Sequence, residues 1–117
     1  MTMVSARRIE KITHELNAVI SVPGSKSIAN RALVCAALAS GESVISGVPD
    51  GNDTEAMIEG LISLGARIER TDNNVIFRSG IDLERNEPIT LNARLAGTTA
   101  RFLTAVCGLV SGPTLIT

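Results

Sequence analysis

From Ser27 to Ala39 the chain is nearly all Ala, Leu, Val and Ile, and Ser40-Gly41 follows as a stop signal, so the pattern predicts a helix there. Ahead of it, Pro23-Gly24-Ser25 breaks any regular run, because Pro fixes φ and Gly tolerates almost any backbone angle. Ile9 to Thr13 and Ala18 to Val22 are short and β-branched, and His14-Glu15-Leu16-Asn17 between them reads as a turn joining two strands. Ser43 to Val48 is a further short strand. Asn52 with Glu55 three residues on matches a capping box for a second helix running to Leu64, and Gly65 ends it. Ala66 to Arg70 and Val75 to Arg78 flank the turn-rich Thr71-Asp72-Asn73-Asn74, the signature of a β-hairpin. After a polar linker through Pro88, a strand over 89–91, a helix over 97–110 and a strand over 113–117 complete the pattern.

The two halves repeat. Ser27, Arg31, Ser40-Gly41 and Ser43 to Ser46 match Gly97, Arg101, Ser111-Gly112 and Thr114 to Thr117, an internal period of about 70 residues. Each unit reads as strand, helix, strand, helix and hairpin, which gives an α/β class of βαβαββ units, the first complete and the second stopping at its second strand. That half-finished unit predicts that these residues are part of a longer chain, because an apolar strand with no neighbour is a raw sheet edge.

Composition narrows the function. The sequence has 117 residues, 11 Lys+Arg against 12 Asp+Glu, and only 2% aromatic residues, so it has neither the basic footprint nor the stacking rings of a nucleic-acid binder. Its longest apolar run, Ala32 to Ala39, is far short of the roughly 20 residues that span a bilayer. Arg7, Arg8, Glu10 and Lys11 stand where a signal peptide would need an apolar stretch, and Cys35 and Cys107 read as buried, reduced thiols, so the expected location is cytoplasmic.

The richest candidate chemistry lies in Pro23-Gly24-Ser25-Lys26-Ser27 with Asn30-Arg31. A small-residue turn entering a helix presents free N–H groups at the positive end of the helix dipole, a place for a phosphate or carboxylate. Lys26 adds a point charge, and Ser27 and Arg31, four apart, share one helical face where a hydroxyl and a guanidinium fork can grip a carboxylate. The segment is not a Walker A loop, which needs Gly where this chain has Ser25. Its plain alternative is a helix cap with a solvated lysine. Ala96-Gly97-Thr98-Thr99 with Arg101 is a second small-residue turn opening a helix. For Arg101 a surface or interdomain ion pair is the favoured reading. Asp50, Asn52, Asp53 and Glu55 lack the Gly and Glu positions of a calcium loop and read as helix-capping residues. His14, the only histidine, has no assigned role.

With Pro23 to Ser27, Asn30-Arg31-Ala32-Leu33, Asp50, Asp53-Thr54 and Ala96-Gly97-Thr98 with Arg101 in view, the chain from Ile9 onward resembles the N-terminal part of the 5-enolpyruvylshikimate-3-phosphate synthase family. The resemblance implies two lobes of repeated βαβαββ units. It implies transfer of the enolpyruvyl group of phosphoenolpyruvate to the 5-hydroxyl of shikimate 3-phosphate with release of phosphate, on the route to chorismate and the aromatic amino acids. Lys26 would reach both substrates, Ser27 and Arg31 would hold the shikimate carboxylate, and Gly97 and Thr98 would line the phosphoenolpyruvate pocket. No cofactor or metal is implied. The partners are the two small-molecule substrates and the C-terminal remainder of the same protein, with no nucleic acid and no membrane. Residues 1–21 would belong to the other lobe, and 22–117 would be a partial N-terminal lobe whose first unit ends near residue 80. The chain departs from the common pattern at Arg94-Leu95, where Gly-Asn is frequent, which changes the polar lining of the second pocket.

Two rival readings remain. One is the sibling transferase acting on UDP-N-acetylglucosamine, which has Lys-Asn in place of Lys26-Ser27. The other is a noncatalytic anion-binding module. The resemblance puts the proton-transfer carboxylates outside residues 1–117, so this chain by itself should show no turnover. Steady phosphate release from both substrates by the purified 117-residue protein would refute that expectation.

Overall fold

The computed structural model describes residues 6–117. The elements run α1 (Lys26–Leu38), β1 (Ser43–Ser46), α2 (Asn52–Ser63), β2 (Arg67–Thr71), β3 (Asn74–Ser79), β4 (Ile89–Leu91), α3 (Gly97–Cys107) and β5 (Thr114–Ile116). The three strands β1, β3 and β2 form an antiparallel sheet with β3 in the middle, while β4 and β5 pair in parallel across the α3 connection. None of these helices is long and apolar enough to cross a membrane.

Alternation on β3 sets the layering. Val75 and Phe77 are fully buried while Arg78 is exposed, and the register places Ile45 opposite Val75 and Ile68 opposite Phe77 on the same face. That face packs on helices. Leu33 of α1, Met57 and Leu61 of α2, and Leu103 of α3 have no exposed surface and join Val75 and Phe77 in one core. Burying a side chain of this size contributes roughly 1.5–3 kcal/mol. α2 is the middle helix, in contact with both α1 and α3. Gly60 makes the second contact close, since a Cβ there would stand 2.7 Å from a Leu103 methyl.

The strand before α1 departs from expectation. Residues 6–25 carry no helix or strand and are exposed throughout, so the predicted strands at Ile9 to Thr13 and Ala18 to Val22 are absent from this chain, and the first unit is αβαββ and not complete. The second unit shows what is missing. Its β4 lies one repeat period after residues 19–21 and pairs with β5, but among the described residues β1 pairs only with β3, leaving Val19 and Ile20 99% and 80% exposed. Without a neighbouring strand, the exposed backbone groups of this segment are left to water and no ladder holds them extended. Residues 1–5 of that predicted N-terminal segment lie outside the described residues.

Two smaller corrections follow from packing. Gly51, not Asn52, occupies the N-cap of α2, and no side chain caps that helix. Cys35 is exposed on α1, and only Cys107 is half-buried, where burial pushes its thiol pKa up. Within the core, the Asn30 amide and Thr54 hydroxyl are buried without a hydrogen-bond partner among the described residues.

On the outer face of the sheet, Arg78 on β3 joins Glu69 of β2 at 2.8 Å and Glu42, next to β1, at 2.6 Å. Hydrogen bonding from Arg78, and then its charge, holds the Glu69 carboxyl below its ordinary value of 4.5. The folded state therefore favours the charged form. Its stabilisation is complete above the ordinary value and is lost as pH falls through the lowered one. Thermal melts from pH 7 to pH 2 should show Glu69→Gln less stable than the parent near neutrality, with the difference closing at the acid end. A gap that stays constant with pH would contradict this.

Candidate functional site

Ser25 caps α1, accepting the Ile28 N–H on its hydroxyl at 3.4 Å, and Lys26 follows it as the first residue of the helix. The approach to this cap is tight. A Cβ on Gly24 would fall 2.3 Å from the Gly47 carbonyl oxygen, so the chain can enter α1 alongside the β1–α2 loop only with glycine here. Pro23, Gly24, Gly47, Pro49 and Asp50 help line an open cleft of about 570 Å³ beside that turn.

The structure brings Ser27 and Arg31 into direct contact. The Arg31 guanidinium donates to the Ser27 hydroxyl and, at 2.9 Å, to the Ser27 carbonyl, and both residues are exposed. Arg31 also lies over the Phe102 ring of α3, 5.5 Å from its centroid, a cation–π contact that orients the fork. The sequence reading had no role for Phe102. One turn of spacing, Arg31 to Ser27, was visible in sequence, but a contact between helices 71 positions apart needs the fold.

Lys26 is 66% exposed at its side chain, and its Nζ stands 2.7 Å from Asp53 Oδ2 on the first turn of α2. An ion pair with one partner largely in solvent contributes roughly 0–1 kcal/mol, and it leaves the other N–H donors of the ammonium open to an incoming anion. The acidic cluster read as capping residues is instead distributed among cations: Asp53 to Lys26, Asp50 to Arg70 at 3.3 Å, and Glu55 with Asn52 to Arg94. No group of His, Cys, Asp and Glu among the described residues is arranged to hold a metal ion.

Gly97 and Thr98 open α3 at the surface with no side chain capping the helix, and a Cβ on Gly97 would meet nothing within 4 Å. The turn into them is held from α2. Arg94 has φ of 55°, a left-handed conformation that costs a residue with a Cβ about 1–2 kcal/mol. Its side chain offsets this, reaching Glu55 at 3.1 Å and both oxygens of Glu59 at 2.9 Å, while its N–H donates to Asn92 Oδ1 at 2.8 Å. Its hydrogen bond to Glu55 is the largest cause of a raised Arg94 pKa; lost hydration opposes it, and the charge of Glu59 adds to it. Arg94, Leu95, Ala96, Asn52 and Asp53 line a second open cleft of about 380 Å³. Leu95 is fully exposed at its edge, so the lining there is apolar at one side and ionic at the other. Arg101 is exposed and has no ion pair among the described residues.

The arrangement thus has two uncovered helix N-termini, one flanked by a lysine and an arginine–serine pair, with the first turn of α2 between them. Such a face suits small anions. Residues 10–117 match the sequence profile of EPSP synthase (3-phosphoshikimate 1-carboxyvinyltransferase). The chain belongs to the EPSP synthase family. It is 38% identical over 106 residues to the 3-phosphoshikimate 1-carboxyvinyltransferase of Hamiltonella defensa, covering 88% of this chain and 25% of that protein. Against the enzyme of the same name from Rhizobium etli it is 41% identical over 96 residues, covering 80% and 22%. The solved EPSP synthase from Acinetobacter baumannii superposes with a TM-score of 0.66 at 24% identity, over 84% of this chain and 23% of that one, a likeness of fold. The chain spans about a quarter of the length of the relatives it matches.

The Gly24 contact gives a direct test of how α1 is set. Gly24→Ala should destabilise the protein by about 1–3 kcal/mol, because backbone must move to admit the methyl group. Gly97→Ala, with open space around its Cβ, should not be destabilising. Urea unfolding of the two variants reads the difference, and equal stability would remove the close approach as a constraint.

Proposed function

We propose that this chain forms the shikimate-binding face of a 3-phosphoshikimate 1-carboxyvinyltransferase, which moves the enolpyruvyl group of phosphoenolpyruvate to the 5-hydroxyl of shikimate 3-phosphate and releases phosphate. The observation that carries the reading is the Arg31–Ser27 pair on the first turns of α1, directly beside the Lys26 ammonium, in a chain of this family. A guanidinium fork and a hydroxyl match a carboxylate. Lys26 serves as a second cation that both anionic substrates can share, and it stabilises charge that builds up as a neutral hydroxyl adds to the enol double bond. The uncapped start of α3 offers the Gly97 and Thr98 N–H groups to phosphoenolpyruvate.

Residues 1–21 are assigned to the other lobe of the enzyme, and 22–117 to part of its N-terminal lobe. Support comes from the exposure of Ile9, Val19 and Ile20, apolar side chains that find no cover among the described residues. The sibling activity on UDP-N-acetylglucosamine is disfavoured by Ser27 in place of Asn.

NMR titration of the 117-residue chain tests the substrate assignment. Shikimate 3-phosphate should shift the Ser27 and Arg31 signals selectively, and UDP-N-acetylglucosamine and inorganic phosphate should not reproduce the pattern. Equal responses to all three would reduce the face to a general anion site. In a chain of full family length carrying this segment, Lys26→Ala should weaken binding of both substrates, and unchanged affinities would remove Lys26 from the site.

A further inference from the structure

We propose that Asp53 is a positioning residue of this site: its carboxylate aims the Lys26 ammonium, and its main chain fixes the start of α3 relative to that ammonium. The inference rests on the functional reading above and adds a residue to it.

Three observations converge on Asp53. Its Oδ2 lies 2.7 Å from Lys26 Nζ, and the carboxylate is the better-anchored partner, 23% exposed against 66% for the lysine side chain. Its carbonyl oxygen accepts the hydroxyl of Thr99, a fully buried residue in the first turn of α3, at 2.9 Å. Asp53 stands in the first turn of α2 behind Gly51, an N-cap with no side chain, where the helix dipole already favours an acidic residue. The carboxylate has turned outward to another helix. One residue therefore links the first turns of α1, α2 and α3.

The chemistry of an ammonium explains why such a link matters. Lys26 has three N–H donors on a flexible stem of four carbons, and alone it would sweep a wide arc. With one donor given to Asp53, the direction of the other two is restricted, and they can face an anion lodged between α1 and α3. A negative carboxylate beside an anion site also opposes ground-state binding of anions. Asp53 thus works through orientation and not through affinity, and orientation errors of about 1 Å can lower turnover a hundredfold.

Steady-state kinetics in a chain of full family length carrying this segment, with shikimate 3-phosphate and phosphoenolpyruvate, tests this. For Asp53→Ala, kcat should fall about tenfold or more while KM for each substrate stays within about threefold, the split expected when a group acts on the transition state only. Asp53→Glu should recover a substantial part of the lost kcat, and the melting temperature of both variants should stay close to the parent's. Unchanged kcat in Asp53→Ala overturns the proposal. So does a loss that comes with a lowered melting temperature and is not recovered by Asp53→Glu, which marks a structural role alone. An unsubstituted protein with no activity on these substrates refutes the functional reading separately. In that case the side-chain ammonium signal of Lys26 in the 117-residue chain still decides the contact, and a signal unmoved by Asp53→Ala overturns it.

Discussion

Burial of α2 between α1 and α3 is the constraint on which the site depends. Ala56, Met57, Ile58, Gly60 and Leu61 are buried along its length, so its axis has little freedom to move. Close-packed interiors transmit small displacements, and the side chains projecting from α2 inherit its position. Asp53 and Glu55 on its first turn, with Glu59 one turn further, each hold a cation from another element: Lys26 of α1, and Arg94 on the turn entering α3. The charged face is therefore registered by an apolar core some residues away.

Electrostatics at this face is arranged in pairs with unequal exposure. Arg31 is held by its own helix and by the Phe102 ring, so its fork is oriented before any ligand arrives. Lys26 is held by one carboxylate and is otherwise in water, so its remaining N–H donors are open to a ligand. Arg94 is different, because three oxygens from Glu55 and Glu59 surround its guanidinium and neutralise it. Although Arg94 lies at the edge of the second cleft, its charge is spent on holding a left-handed turn in place. A count of basic residues near the clefts would have overestimated the charge offered to a substrate.

Elements and candidate residues divide by the range of the interactions that make them. The Ser25 cap, the Ser27–Arg31 spacing, the hairpin around Asp72-Asn73 and the strand–helix–strand of the second half all depend on residues a few positions apart, and all could be read from the chain as written. Residues 18–22 have the same β-branched character as the other strands and form none, because a strand needs a partner and Val19 and Ile20 meet only solvent among the described residues. Cys35 sits in an apolar run yet is exposed, since the run is apolar around the whole helix and only packing selects which side is covered.

What the sequence by itself determined was the helix that carries Lys26, Ser27 and Arg31, the repeat that places Gly97 and Thr98 at an equivalent turn, and the family to which those motifs point. The tertiary structure alone decided which charges meet. Lys26 and Asp53 are 27 positions apart, and Arg94 and Glu55 are 39 apart, and no local spacing rule connects them. Their pairing follows from two helices and a turn brought against α2 by the burial of Leu33, Met57, Leu61 and Leu103, an effect that depends on apolar area and is blind to which surface residues it brings together.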